Sequence, residues 1–280
     1  MAERRFPLLI EPAELASQLS TENLRIVFVD EAAIYEQAHI PGSVRMDYAD
    51  LNTQRPPAGG LLPDMSRLAR VLGAAGITPQ TRVIALDASG NARAARLLWT
   101  LECLGHPSYS LLNGGLPAWL SEARTTAQGP APAVENPQLY PAVLAHPQAR
   151  AERDGILKGL ESASMAIVDA RSPAEYRGED VRAARGGHIP GAVNIEWTDN
   201  IDPDNAYRLR PKAELEAMYQ GAGLAKDQQV ITHCQTHHRS SLSFFVLRYL
   251  GYTYAQAYDG SWSEWGNDPE VPIAKGDQPD

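Results

Sequence analysis

The chain repeats itself, and this feature constrains the fold more than any other. Three pairs of short segments recur in the same order, with 139 to 149 residues between the members of each pair. Solenoid repeats span only about 20–50 residues, so this longer period predicts a duplicated domain. The pairs are Arg25–Asp30 with Met165–Asp169, His39–Gly42 with His188–Gly191, and Leu112–Trp119 with Tyr258–Trp265.

A stretch rich in proline and alanine, AQGPAPAVENP at residues 127–137, lies between the two copies. Proline and small residues at this density disfavour helix and sheet, so we predict a fairly extended linker. The 280 residues suit two domains of ordinary size. We therefore expect an N-terminal domain at 1–125, a linker at 126–148 and a C-terminal domain at 149–280.

Each copy alternates a short apolar run with a longer amphipathic one. In the first copy the apolar run Val83–Leu86 precedes Asn91–Leu104, whose apolar residues recur at helical spacing. In the second copy Val230–Thr232 precedes a helical pattern that starts near Arg239. Buried strands that alternate with helices predict an α/β fold in each domain, with a central parallel sheet flanked by helices.

The composition narrows the function classes and partners. A net charge of −9 argues against nucleic acid or an anionic membrane as partner. Two cysteines, Cys103 and Cys234, are too few for a disulfide scaffold or a cysteine-based zinc site. The first ten residues have no apolar core of leader length, and no run is long enough to cross a membrane. We expect a cytoplasmic monomer.

Cys234 follows a predicted strand, at the position where parallel α/β sheets bind their ligands. It falls between the predicted strand and the predicted helix of the second copy, in the sequence His233-Cys234-Gln-Thr-His-His-Arg239. Ligands bind at the carboxyl ends of such strands, against the unpaired N–H groups and positive dipole of a helix N-terminus. A thiolate is stabilised there, so the position predicts a nucleophile.

The first copy has no thiol at that position. Asp87 stands in place of Cys234, and Cys103 lies near the end of the following helix among leucines, where a small apolar side chain suits a core. We therefore expect only the C-terminal domain to be catalytic. His39 and His188 recur in both copies, which favours a structural hydrogen bond over catalysis.

These motifs resemble those of a known family, the tandem-domain rhodaneses, which are thiosulfate:cyanide sulfurtransferases. Tyr35–Val44 resembles the family's N-terminal signature, and Ala255–Trp265 resembles its C-terminal signature. The loop Cys234–Arg239 is similar to that of a bacterial subgroup. The resemblance implies two α/β domains, an inactive N-terminal domain, and a persulfide carried on Cys234.

The resemblance also implies a two-step reaction without metal or organic cofactor. Cys234 takes the outer sulfur of thiosulfate, and a thiophilic acceptor such as cyanide or a thiol removes it, so ping-pong kinetics follow. Backbone N–H groups of the loop would cradle the persulfide sulfur as an anion nest does. The loop residues expected at the substrate are Gln235, Thr236, His237, His238 and Arg239.

Other residues are candidates for the donor pocket. An insert of about eight residues before His188 carries Arg182, whose guanidinium suits an oxyanion such as a sulfonate. Arg177 and Arg185 nearby are expected in surface ion pairs. Trp197 resembles a tryptophan that lines the family's cleft, with packing in the core as the alternative. Asp169 beside Arg171 is expected to pair with an arginine, either to orient the pocket or as a structural salt bridge.

The pattern departs from that of the vertebrate enzymes at two positions. Glu175 stands where they have arginine, and Thr236 stands where they have lysine, which puts thiosulfate as the physiological donor in question. His237 and His238 would compensate when protonated.

Three alternatives remain open. A 3-mercaptopyruvate sulfurtransferase is related by fold, but this chain lacks that group's Cys-Gly-Ser-Gly loop. A non-catalytic persulfide carrier or thiol sensor would use the same cysteine. A cysteine-dependent phosphatase is the remote alternative, since those enzymes have five residues between cysteine and arginine where this chain has the four residues 235–238.

Overall fold

The computed structural model describes residues 6–162 and 165–277. The prediction that the first ten residues contain no leader falls partly on residues 1–5, which lie outside the described residues. Among the described residues, no helix is both long and apolar enough to cross a membrane.

The first half of the chain alternates strands and helices as the sequence predicts. Its elements are β1 (Leu9–Ile10), α1 (Pro12–Ala16), β2 (Leu24–Val29), α2 (Ala32–Gln37), β3 (Val44–Met46), β4 (Thr53–Arg55), β5 (Ala58–Leu61), α3 (Met65–Ala74), β6 (Arg82–Leu86), α4 (Ala92–Cys103), β7 (Tyr109–Leu112) and α5 (Gly115–Ser121).

The second half repeats this order. Its elements are β8 (Arg150–Ala151), α6 (Arg153–Ser162), β9 (Met165–Asp169), α7 (Pro173–Arg177), β10 (Ala192–Asn194), β11 (Ile201–Asp202), β12 (Arg208–Leu209), α8 (Lys212–Gly221), β13 (Gln229–His233), α9 (Arg239–Leu250), β14 (Ala255–Tyr258) and α10 (Ser261–Trp265).

Each half builds a five-stranded parallel sheet, which confirms the predicted fold class. The order is β1-β7-β6-β2-β3 in one sheet and β8-β14-β13-β9-β10 in the other, so corresponding strands occupy corresponding places. The central strand β6 is buried along its length and β13 from Val230 to His233, which explains their continuous apolar runs. Since parallel strands end at one edge, β6 and β13 deliver the residues that follow them to the carboxyl edge of their sheets.

The chain forms two compact units, and each unit includes a short segment from the other half of the sequence. One unit comprises residues up to Leu51, Pro63–His146 and Ile201–Leu209. The other comprises Asn52–Leu62, Pro147–Asn200 and residues from Arg210 on. The predicted boundaries at 125/126 and 148/149 do not include this exchange, because hydrophobic patterning does not tell which core a surface hairpin packs against.

The recurring histidines have the same surroundings in both units. The His39 ring stacks on Tyr35 at a centroid distance of 3.9 Å, and its Nδ1 lies 2.8 Å from the Tyr35 carbonyl oxygen. The His188 ring stacks on Tyr176 at 3.7 Å, and its Nδ1 lies 2.9 Å from the Tyr176 carbonyl oxygen. Identical contacts in both copies support a structural role for this pair.

Candidate active site

Cys234 is fully buried at the junction of β13 and α9. The four residues 235–238 connect it to Arg239, the first residue of a twelve-residue helix. His237 lies in the left-handed region at φ 52°, which lets the chain turn sharply around the thiol. The loop therefore bends back over Cys234 at the N-terminus of α9, where the helix dipole is positive.

Ser261 holds this loop from one side. Its hydroxyl oxygen accepts the N–H groups of Cys234 at 3.3 Å and His237 at 3.1 Å, and its own proton goes to the Tyr258 carbonyl at 2.8 Å. The N–H of Trp262 donates to the Cys234 carbonyl at 2.9 Å. Ser261 was not among the residues predicted from the sequence. The repeat contains a signal for it, because Ser261 aligns with a glycine, Gly115, and a glycine at one copy indicates positive φ at both, which the structure has.

Other amides of the loop are available to a ligand. Within the part of the chain that the structure describes, no protein acceptor pairs with the backbone N–H groups of Gln235, Thr236 or Arg239. Unpaired N–H groups beside a helix N-terminus form a site for an anion or for a sulfur that carries negative charge.

Glu175 lies next to Arg239 and neutralises part of its charge. It is 1% exposed, and it accepts hydrogen bonds from Arg239 Nη1 at 2.6 Å and Nη2 at 2.8 Å. Burial raises the pKa of Glu175, but the hydrogen bonds and charge of Arg239 outweigh it and lower the pKa overall. Burial lowers the pKa of Arg239, while Glu175 and the neighbouring Cys234 raise it, with a net rise. Arg239 is therefore a permanent cation beside Cys234.

Arg182 contacts the same cluster from the surface. Its side chain is 55% exposed, pairs with Asp180 at 2.9 Å, and lies 3.7 Å from Glu175. Its backbone carbonyl accepts a hydrogen bond from Gln235 Nε2 at 3.0 Å, which ties the insert to the active loop. Arg177 pairs with Glu179, and Arg185 donates to backbone carbonyls that include Val271 O.

A buried ionic network lies at the ends of β9 and β13. Asp169 binds the Arg171 guanidinium through both oxygens, at 2.9 and 2.6 Å, and lies 3.6 Å from His233 Nε2. Burial raises the pKa of Asp169, but Arg171 and His233 bring it down to about 2. The Arg171 guanidinium stacks 4.2 Å above the ring of Trp262. This network fixes His233, the residue before Cys234, and Trp262, the residue after Ser261.

Three further predicted site residues are His237, His238 and Trp197. His237 is buried with Nδ1 2.8 Å from Ser240 Oγ, whereas His238 is half-buried at the start of α9. Trp197 is half-buried and begins the 3₁₀ helix Trp197–Asn200, with its N–H donating to the Ala170 carbonyl at 3.2 Å. Among the described residues, no cluster of three histidine, cysteine or acidic side chains suits a metal ion.

Asp87 takes the corresponding place in the first unit. Its buried carboxylate accepts the backbone N–H groups of Ser89 at 2.9 Å, Asn91 at 2.8 Å and Ala94 at 2.9 Å. Burial raises the pKa of Asp87, and these three hydrogen bonds oppose the rise. Two amides of this loop and one of α4 are thus occupied by a side chain of the protein.

Comparisons with known proteins agree on one family. The model of the rhodanese-like domain matches residues 11–122 and 153–268. The chain is 44% identical over 269 residues to a thiosulfate sulfurtransferase of Azotobacter vinelandii, covering 95% of this chain and 97% of that one. It is 35% identical over 288 residues to the sulfur carrier protein TtuD of Thermus thermophilus, covering 97% and 98%.

The fold also matches a solved structure. The anaerobic ergothioneine biosynthesis enzyme from Chlorobium limicola superposes with a TM-score of 0.84 at 23% identity, covering 96% of this chain and 70% of that one. At this identity the match shows the shared fold alone.

Proposed function

This chain belongs to the rhodanese family, and on that premise we propose that it is a thiosulfate sulfurtransferase with Cys234 as its nucleophile. The observation that carries the proposal is a buried thiol at a helix N-terminus, inside a loop with several amides that have no acceptor among the residues the structure describes. The name of the Azotobacter relative supports thiosulfate as the donor. We propose that the first unit is inactive, because Asp87 replaces the nucleophile.

The reaction has two displacements at sulfur. The Cys234 thiolate, its proton given to solvent, attacks the outer sulfur of thiosulfate; a new S–S bond forms while the old one breaks, and sulfite leaves with the electron pair. Cyanide then attacks the outer sulfur of the persulfide and departs as thiocyanate, which returns the thiolate. The sulfur stays on the protein between the steps, so we propose that no metal or organic cofactor takes part.

The loop stabilises the charge that the chemistry creates. The outer sulfur of a persulfide anion bears negative charge, and the N–H groups of residues 235–239 together with the dipole of α9 would stabilise it. The amides are positioned before the reaction because Ser261 fixes the loop. The loop therefore needs little reorganisation during the reaction.

We place the donor anion at the outer side of this loop. Arg239 and Arg182 carry two positive charges there, and Glu175 and Asp180 offset them. The pair with Asp180 is exposed, so a dianion such as thiosulfate would compete with Asp180 for Arg182, and the loop amides would add to the attraction. Trp197 would contact the same ligand from the 3₁₀ helix that follows β10. A monomeric, cytoplasmic protein remains our prediction.

A second function uses the same persulfide. The 35% identity to a sulfur carrier protein favours delivery of the sulfur to a protein thiol. The two functions differ in the second displacement alone, so the rate of transfer from the loaded chain to cyanide and to a small protein thiol separates them. Neither 3-mercaptopyruvate nor a phosphate ester is favoured by an observation in this loop.

Steady-state kinetics test the proposal. Thiocyanate release measured with both substrates varied should give parallel double-reciprocal lines, as a ping-pong reaction requires. Cys234→Ser should lower the rate by on the order of a thousandfold or more, because a neutral hydroxyl is a far weaker nucleophile.

Cys103→Ser is the matched control. Cys103 is fully buried in α4 of the first unit, so its replacement should leave turnover within about twofold of the parent. Full activity in Cys234→Ser, or a large loss in Cys103→Ser, would move the nucleophile elsewhere.

A further inference from the structure

The hairpin β4–β5 comes from the first half of the sequence but belongs to the unit that contains Cys234. Two side chains of the segment after β14 anchor it. Ser263 Oγ accepts the N–H of Gly59 at 3.0 Å, and Asp259 accepts the N–H of Leu62 at 2.8 Å. Asp259 is itself held by the Arg150 guanidinium, with Nη2 2.9 Å away. The position of the hairpin is therefore fixed at two points.

Between these anchors, Gly60 lies directly against the active loop. A Cβ atom on Gly60 would lie 1.9 Å from the carbonyl oxygen of Thr236 and 2.5 Å from its carbonyl carbon. Real Cβ atoms do not approach a backbone carbonyl so closely, so only glycine fits at position 60 with the loop as it stands.

The peptide bond between Thr236 and His237 is thus held from two sides. Its carbonyl oxygen lies against Gly60, and its N–H donates to Ser261 Oγ at 3.1 Å. Since a peptide unit is planar, these two contacts fix the direction of the whole unit. His237 remains at φ 52°, which is unusual for a residue with a side chain and persists where the surroundings determine it.

We propose that Gly60 is a positioning residue for sulfur transfer, which sets the orientation of the Thr236–His237 peptide and thereby the direction of the loop amides around Cys234. This inference rests on the proposed function of Cys234. It gives the N-terminal half of the sequence a role in the chemistry without a nucleophile of its own. A side chain at position 60 would rotate or displace the peptide, and amides moved by about 1 Å lose much of their effect on a reacting sulfur.

The test compares two glycine-to-alanine variants. Gly73 is a matched control, because a Cβ there would lie 2.2 Å from the Gln138 carbonyl oxygen, a similar backbone clash in the other unit. Gly60→Ala should lower kcat/KM for thiosulfate by about a hundredfold, whereas Gly73→Ala should leave it within about twofold at temperatures where both are folded. Both variants should lower the thermal midpoint, so stability alone does not account for the difference.

Two further measurements keep the test decisive. Amide hydrogen exchange should rise at His237, whose N–H is bonded to Ser261, in Gly60→Ala and not in Gly73→Ala. Ser263→Ala removes the anchor of Gly59 without a clash and should lower kcat/KM about fivefold, which matters if Gly60→Ala does not fold.

The outcomes are distinguishable from failure of the proposed function. If the parent chain transfers sulfur but Gly60→Ala keeps its kcat/KM, or loses no more than Gly73→Ala, the role of Gly60 is overturned while Cys234 stands. If Gly60→Ala cannot be folded and Ser263→Ala is fully active, the role is also overturned. If the parent chain transfers no sulfur, the proposed function itself fails.

Discussion

Two loops of identical length occupy corresponding places in the two units, and they use the same backbone differently. Four residues separate Asp87 from Ala92, where α4 begins, and four separate Cys234 from Arg239, where α9 begins. In the first unit the Asp87 carboxylate accepts three backbone N–H groups, two from the loop and one from α4. In the second unit a thiol stands in its place, and several N–H groups have no protein acceptor among the described residues. The exchange of aspartate for cysteine is thus one difference between the first loop and the loop in which we propose that a charged sulfur is held.

The residues that surround the two loops also differ. Asp30 in the first unit pairs with Arg93 of α4, while Asp169 pairs with Arg171 two residues along and lies close to His233. Gly115 carries no side chain at the position where Ser261 binds two loop amides. The second loop is therefore held by Ser261 from another segment, whereas the carboxylate of Asp87 holds the first loop.

The largest expected effect concerns the buried pair of Asp169 and Arg171. Asp169→Asn leaves the buried Arg171 guanidinium without its carboxylate, which should cost about 3–5 kcal/mol in the free energy of unfolding. Asp30→Asn should cost less, because Arg93 is 23% exposed and keeps Glu31 at 3.5 Å. Only Asp169→Asn should also impair thiocyanate release in the folded protein, because Arg171 and His233 adjoin Cys234 and Trp262. Urea unfolding and turnover of both variants check this; equal turnover in the two would erase the difference between the units.

Asp87→Ala should lower the stability and leave the turnover unchanged, the opposite of the result expected for Cys234→Ser. Three amides, two of them buried, lose their acceptor, so the free energy of unfolding should fall by about 2–3 kcal/mol, while turnover of the folded protein stays unchanged. Asp227, an exposed residue, provides the control variant Asp227→Ala, which should be nearly neutral. A loss of turnover in Asp87→Ala with unchanged stability would contradict a structural role for the first loop.

Acid should weaken the second unit through Asp169. The folded-state pKa of about 2 lies below the ordinary value of 3.8, so the pair stabilises the fold above pH 3.8 and loses this contribution as the pH falls towards 2. The difference corresponds to roughly 2 kcal/mol. Urea unfolding of the parent chain and of Asp169→Asn at pH 4.5, 3 and 2 should show this loss in the parent alone; parallel losses in both would assign it to other carboxylates.

The smallest expected effect is at Arg182. Its side chain is 55% exposed and already paired with Asp180, so screening by solvent weakens its attraction for a donor anion. Arg182→Ala should raise the thiosulfate KM about two- to fivefold with kcat unchanged. An unchanged KM would mean that Arg182 acts only as a surface ion pair.

The repeat and the apolar runs were enough to predict the two parallel sheets. Strand and helix patterns in α/β folds come from burial of neighbouring residues, which the sequence displays directly. The position of Cys234 after β13 followed from the same patterns. The segments Asn52–Leu62 and Ile201–Leu209, however, lie in the unit built mainly by the other half of the chain. A short hairpin sequence contains no pattern that indicates which unit it packs against.

The contacts around the thiol were also beyond the sequence. Glu175 stood out as a departure from the vertebrate pattern. Its pairing with Arg239 was not predictable, because the two residues are 64 positions apart in the sequence and only the fold brings them together. Ser261 binds the loop through its hydroxyl only because its backbone has positive φ. Such contacts depend on tertiary geometry, which no local pattern encodes.

The intact mass of the protein after treatment with thiosulfate, and again after cyanide, tests the central claim most directly. The account predicts a gain of one sulfur atom that cyanide removes as thiocyanate, present in the parent chain and in Cys103→Ser and absent in Cys234→Ser. A sulfur gained by Cys234→Ser, or thiocyanate formed without any sulfur on the parent chain, would contradict a persulfide carried on Cys234.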